Sequence, residues 1–104
     1  MIELENFKTY CHLSINLVSE KYGIDVTEKI RTDEIVFYRC ALIDIFLREF
    51  EKINFKRSVG DLIITDAFNQ KRTSIYNSIK QHNNLIGVGN EKYTALYNEI
   101  KELI

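Results

Sequence analysis

A chain of 104 residues with 45% hydrophobic and 28% charged side chains has the size and composition of one globular domain, which excludes an intrinsically disordered protein. Its net charge of −1 excludes a protein that is basic on every side, yet the charge is uneven. Residues 1–50 hold nine acids against six bases, and residues 51–84 hold three acids against six bases.

Proline is absent and glycine numbers four, so the residues that most strongly interrupt helices are scarce. The expectation is an all-α, compact domain of five to six helices. No apolar run approaches the roughly 20 residues that a bilayer span needs. The start, Met-Ile-Glu-Leu-Glu, lacks the basic and then apolar regions of a signal peptide. A cytoplasmic protein with no membrane partner is therefore expected.

Residues 3–22 read as a first helix, with Phe7, Tyr10, Cys11, Ser14, Leu17, Val18 and Lys21 at the spacing of one face. Gly23 is placed to close it. Asp25-Val-Thr-Glu28 has the form of a capping box and predicts a short second helix to about Thr32. Thr32 or Asp33 would cap a third helix running to about Lys52, apolar almost all round and therefore surrounded by others. Lys56-Arg57 forms a basic connection. Ser58 would cap a brief helix with Asp61 in the favourable first turn, followed by a break over residues 64–70. Residues 70–83 predict a helix with a thin apolar edge of Ile75, Ile79 and His82. A loop from Asn83-Asn84 to Gly89 then leads to Asn90, which caps a final helix whose inner face is Tyr93, Leu96, Tyr97, Ile100, Leu103 and Ile104.

Cys11 and Cys40 lack a CxxC spacing and are flanked by helical apolar sequence, as buried free thiols are. No second pair of Cys or His residues stands at zinc-ligand spacing, so no metal and no cofactor is expected. His12 and His82 are accompanied by no serine elbow or paired carboxylates, and no enzymatic activity is expected.

The informative stretch is residues 58–83: a short helix, a tight connection, and a second helix that buries little. From Asn69 to Asn90 there is no acidic residue. Lys71 and Arg72 supply cations at the leading turn, while Thr73, Ser74, Asn77 and Ser78 are short polar groups that let a helix lie deep in a groove. These are the demands on a recognition helix whose N-terminal residues face the major groove of DNA. Lys56, Arg57 and Arg39 are expected to grip the phosphate backbone beside it.

The order of features resembles the C-terminal DNA-binding domain of the bacterial replication initiator DnaA, in the Trp-repressor-like group of helix-turn-helix domains. Val18-Ser-Glu-Lys-Tyr-Gly-Ile24 is similar to the end of that family's valine-rich helix, and Arg31 to Phe50 to its basic turn and long helix. Ser58-Val-Gly-Asp-Leu62 lies against its Ser-Leu-Pro-Glu-Ile-Gly helix, and Lys71-Arg-Thr-Ser-Ile-Tyr-Asn-Ser78 against its signature helix. The chain departs from the family at Phe37-Tyr38, where Arg-Pro is usual, and lacks the Gly-Gly-Arg turn. The resemblance implies a helix-turn-helix at about residues 58–83 and DNA contacts by Arg39, Lys71, Arg72, Thr73 and Ser74. No Gly-rich phosphate loop of an ATPase is present.

The expected function is double-stranded DNA binding by a small transcription regulator or replication accessory factor, of the kind that phages and mobile elements carry. A homodimer or a larger protein assembly stays open. The rival reading is a helical protein–protein adaptor with Tyr76, Tyr93 and Tyr97 as surface anchors.

Overall fold

The computed structural model describes residues 2–28 and 33–104. These form five helices and no strand: α1 (Ile2–Tyr22), α2 (Asp33–Glu51), α3 (Arg57–Phe68), α4 (Arg72–Gly87) and α5 (Glu91–Leu103). The all-α expectation holds. The radius of gyration of 12.9 Å is that of a compact chain, about 13 Å for 100 residues.

α2 is the central strut, as its all-round apolar surface predicts. Ile35, Tyr38, Cys40, Ala41, Leu42, Ile43, Ile45, Phe46, Leu47 and Phe50 are buried, and α2 packs against all four other helices. α1 lays Phe7, Cys11, Ser14, Ile15 and Val18 on it. The ring of Phe7 meets Phe50, and Tyr10 meets Phe46 edge-on. Gly23 ends α1 with φ +64°, and the amide of Ile24 returns to the carbonyl of Ser19, so the glycine closure is formed as expected.

Of the capping pattern after it, the Asp25 half is formed. Asp25 accepts from the backbone amide and the hydroxyl of Thr27, two residues on, and the amide of Glu28 bonds the carbonyl of Asp25. The bond from the Thr27 amide is the one that an N-cap aspartate accepts from the second residue of a helix. The rest of that predicted helix, residues 29–32, lies outside the described residues.

α3 is longer than predicted. It runs to Phe68 because Ile64, Ala67 and Phe68 keep the three-and-four spacing of a core face and are buried. The break shrinks to Asn69, Gln70 and Lys71. Asn69 adopts the left-handed conformation at φ 51°, and the amides of Asn69 and Gln70 reach the carbonyls of Asp66 and Thr65. Lys56, not Ser58, occupies the cap position. Gly60 lets α3 approach α2 closely: a Cβ there would lie 2.6 Å from the ring of Phe50.

α4 also extends beyond its predicted end, taking in Asn83 and Asn84 and closing through Val88 and Gly89 at φ +68°. Its seam is Ile75, Ser78 and His82. α5 begins as predicted, with the Asn90 side chain accepting from the amide of Tyr93 at 2.9 Å. Tyr22 and Lys21 at the end of α1 meet Glu99 on α5, tying the first helix to the last.

Candidate nucleic-acid interface

α3 and α4 are joined by three residues, and both open on the same dipeptide: Lys56-Arg57 and Lys71-Arg72. Neither start has a side-chain cap hydrogen bond or an acid in its first turn. Helix starts ordinarily favour Ser, Thr, Asp or Asn caps and early acids, because the exposed amides carry partial positive charge. Two successive starts here do the reverse. Lys56, Arg57, Lys71, Arg72 and Thr73 are exposed.

Arg57 and Arg72 converge on one carboxylate. Arg57 Nε lies 3.0 Å from Asp61 Oδ1, and Arg72 Nη2 lies 4.0 Å from Asp61 Oδ2. Tyr76 donates its hydroxyl to the same Oδ2 at 3.3 Å, and the Arg72 guanidinium stands 5.9 Å from the Tyr76 ring centroid. The Asp61 side chain is 5% exposed, whereas both arginines are 52% exposed.

Along α4, Asn77, Lys80, Gln81, Asn83 and Asn84 are also exposed, so the outer face is polar and free of acids, as the sequence predicts. Ser78 departs from that expectation, being buried in the seam, and so does Ser74. Ser74 is half-buried and shares with Asn77 a small cleft against α2 lined by Val36, Arg39, Ser78 and Gln81. It is turned partly toward the body.

Arg39 is a correction. It is 4% exposed, and its guanidinium donates from Nε to the carbonyl of Val26 at 3.0 Å and from Nη2 to the carbonyl of Glu28. A buried arginine must have its donors satisfied, and here it pins the segment after α1 in place of meeting a phosphate. Gln70, in the turn before α4, reaches the same segment through the carbonyl of Thr27 at 3.1 Å. The aromatic anchors of the adaptor reading are also displaced. Tyr93 and Tyr97 are buried in the core, and of the three only Tyr76 is exposed.

Behind α4, His82 is enclosed by α2 and α5. Its Nε2 lies 3.4 Å from Asp44 Oδ1, and its Nδ1 meets the hydroxyl of Tyr93. Asp44 also accepts from Arg48 at 2.8 Å and from the hydroxyl of Tyr97. A carboxylate only accepts, so His82 carries its hydrogen on Nε2 and takes one from Tyr93 at Nδ1. Burial pushes the His82 pKa below its ordinary value; Asp44 opposes that shift and Arg48 adds to it. His82 and both tyrosines are buried, Arg48 closes the network from the exposed side, and together they hold the helix in place.

Cys11 and Cys40 are buried free thiols, raised by burial to about 12 and about 11. Among the described residues no group of three or more His, Cys, Asp or Glu is arranged to hold a metal ion. Nor is any described helix long and apolar enough to cross a membrane. A groove of about 600 Å³ lies between the end of α1, α2 and α5, lined by Tyr22, Phe37, Tyr38 and Leu96 among others, and none of the predicted site residues borders it.

Sequence reasoning missed Asp61, Tyr76 and Gln70 as parts of this surface. Asp61 four residues after Arg57 was the available signal, since i,i+4 pairs meet on a helix. Its link to Arg72 exists only in three dimensions. No family model, no curated protein and no solved structure matches this chain.

Proposed function

We propose that this protein binds double-stranded DNA through α3, the turn and α4, with α4 entering the major groove and the starts of both helices on the phosphate backbone. The observation that carries this reading is the pair of uncapped helix starts, each opening Lys-Arg with no acid in its first turn. A phosphate oxygen at such a start accepts from the free amides and faces the cations together, which relieves the unfavourable placement of four positive charges. The acid-free outer face of α4 supports base reading by Arg72, Thr73 and Asn77, while the seam of Ile75, Ser78 and His82 holds the helix to the body. The role is that of a binding module, a small regulator or replication accessory factor, and no reaction is assigned to it.

The test is a salt-titrated binding assay on duplex DNA. Phosphate contacts release counterions, so affinity falls steeply as salt rises. Replacing Lys56 and Arg57 together with alanine should weaken all duplexes alike and lower the slope by roughly two. Failure of the unaltered protein to bind any duplex at low salt would overturn the reading and leave the adaptor as the better one.

A further inference from the structure

Three arginines in this fold meet two opposite fates. Arg39 is consumed by backbone carbonyls and sealed from solvent. Arg57 and Arg72 are held but half open, each against a different oxygen of the Asp61 carboxylate. Burying a carboxylate costs free energy unless it is paired, and Asp61 has its partners: two guanidiniums and the hydroxyl of Tyr76.

We infer that Asp61 is a positioning residue that sets Arg57 and Arg72 side by side as a clamp for one backbone phosphate of duplex DNA. The inference rests on the DNA-binding reading and deepens it. One arginine opens α3 and the other opens α4, so a single carboxylate draws cations from two helices to one point. Asp61 takes Arg57 through Nε, which leaves the Nη edge of that guanidinium for a second acceptor. Arg72 is fixed on two sides, by the carboxylate and by the Tyr76 ring, and the ring is itself fastened to Asp61 through its hydroxyl. Holding long side chains in place before binding removes rotamer entropy that a free arginine would lose on contact. The trio carries one net positive charge, which one phosphodiester neutralises. Forked guanidiniums suit that ligand, because phosphate oxygens accept two parallel hydrogen bonds from each.

The decisive feature of the test is a sign. Asp61→Asn removes a negative charge beside the DNA, so charge alone predicts tighter binding; the clamp predicts weaker binding. Duplex affinity is measured against salt for the unaltered protein, Asp61→Asn, the pair Arg57→Ala with Arg72→Ala, and all three changes combined. The expected result is a loss of roughly tenfold for Asp61→Asn, the scale of a well-placed arginine contact, with no further loss when it is added to the arginine pair. Unchanged or tighter binding by Asp61→Asn overturns the clamp and leaves DNA binding standing. An equal loss in the presence and absence of the arginines also overturns it, since Asp61 would then act through the fold. If Asp61→Asn does not fold, Arg57→Lys with Arg72→Lys decides. These exposed changes keep both charges and lose the forks, so near-normal affinity overturns the clamp and a loss of roughly tenfold supports it. No binding of duplex DNA by the unaltered protein overturns the clamp and the DNA reading together.

Discussion

Single residues in this protein are constrained by what lies directly across from them. Gly60 faces the ring of Phe50, which is itself buried against Phe7. Alanine would raise helix propensity at that position, but its methyl has nowhere to go. Gly60→Ala should destabilise the protein by about 1–3 kcal/mol, the usual cost of overpacking a close-packed contact. A rise in the urea midpoint would show that the helices can separate at no cost. Arg39 is the polar counterpart. Arg39→Leu would leave the carbonyls of Val26 and Glu28 without these donors, at about 1–3 kcal/mol for buried polar groups losing their partners. The same variant should leave the salt slope of DNA binding unchanged, because Arg39 reaches no phosphate.

At the scale of elements, α4 has two faces that separate stability from recognition. Ile75 is fully buried, whereas Lys71 and Arg72 are exposed. Ile75→Ala should cost about 2–5 kcal/mol of stability as a core truncation. Lys71→Ala with Arg72→Ala should cost clearly less stability than Ile75→Ala, because Asp61 keeps Arg57 and the Tyr76 hydroxyl as partners. It should nevertheless abolish most duplex affinity. DNA binding that survives the double change would place the reading helix elsewhere. The apolar surface of α2 and the Ile75 and His82 positions of the α4 seam were legible in the sequence because helical periodicity reports which side is apolar; Ser78, a polar residue read onto the outer face, was not. The boundaries were less so. Ile63-Ile64-Thr65 and Asn69-Gln70 suggest a long break, yet the tertiary demand of Ile64, Ala67 and Phe68 carries α3 through most of it. Arg39 was misread because its charge was weighed without its neighbours, the carbonyls of Val26 and Glu28, which only the fold brings to it.

For the molecule as a whole, the network of His82, Asp44, Arg48, Tyr93 and Tyr97 joins α2, α4 and α5, with the histidine and both tyrosines buried and Arg48 at the exposed edge. Its pH dependence follows from direction alone. In the unfolded chain an imidazole takes a proton near pH 6.5, its ordinary value. In the folded protein burial holds His82 below that. Between those two pKa values the unfolded state binds more protons, so stability falls as pH drops through that window and is level above it with respect to this group. Protonation would also make Nδ1 a donor and force the Tyr93 hydroxyl to find another acceptor. Urea denaturation at pH 7.5 and 5.5 should show lower stability at the acid value, and His82→Gln should flatten most of the difference. Asp25, whose carboxyl is held below its ordinary value chiefly by the Thr27 hydrogen bonds, acts only in a more acidic window. Equal stability at both pH values would mean that His82 is solvated.

The narrow seam of α4 has a consequence for descent. With Ile75, Ser78 and His82 alone buried on that helix, most of its positions can be rewritten without disturbing the core. Mutations that alter what the outer face recognises are therefore not mutations that threaten the fold, and the two can drift independently. A lineage built on this architecture can exchange one target for another in single steps, each intermediate remaining a folded protein.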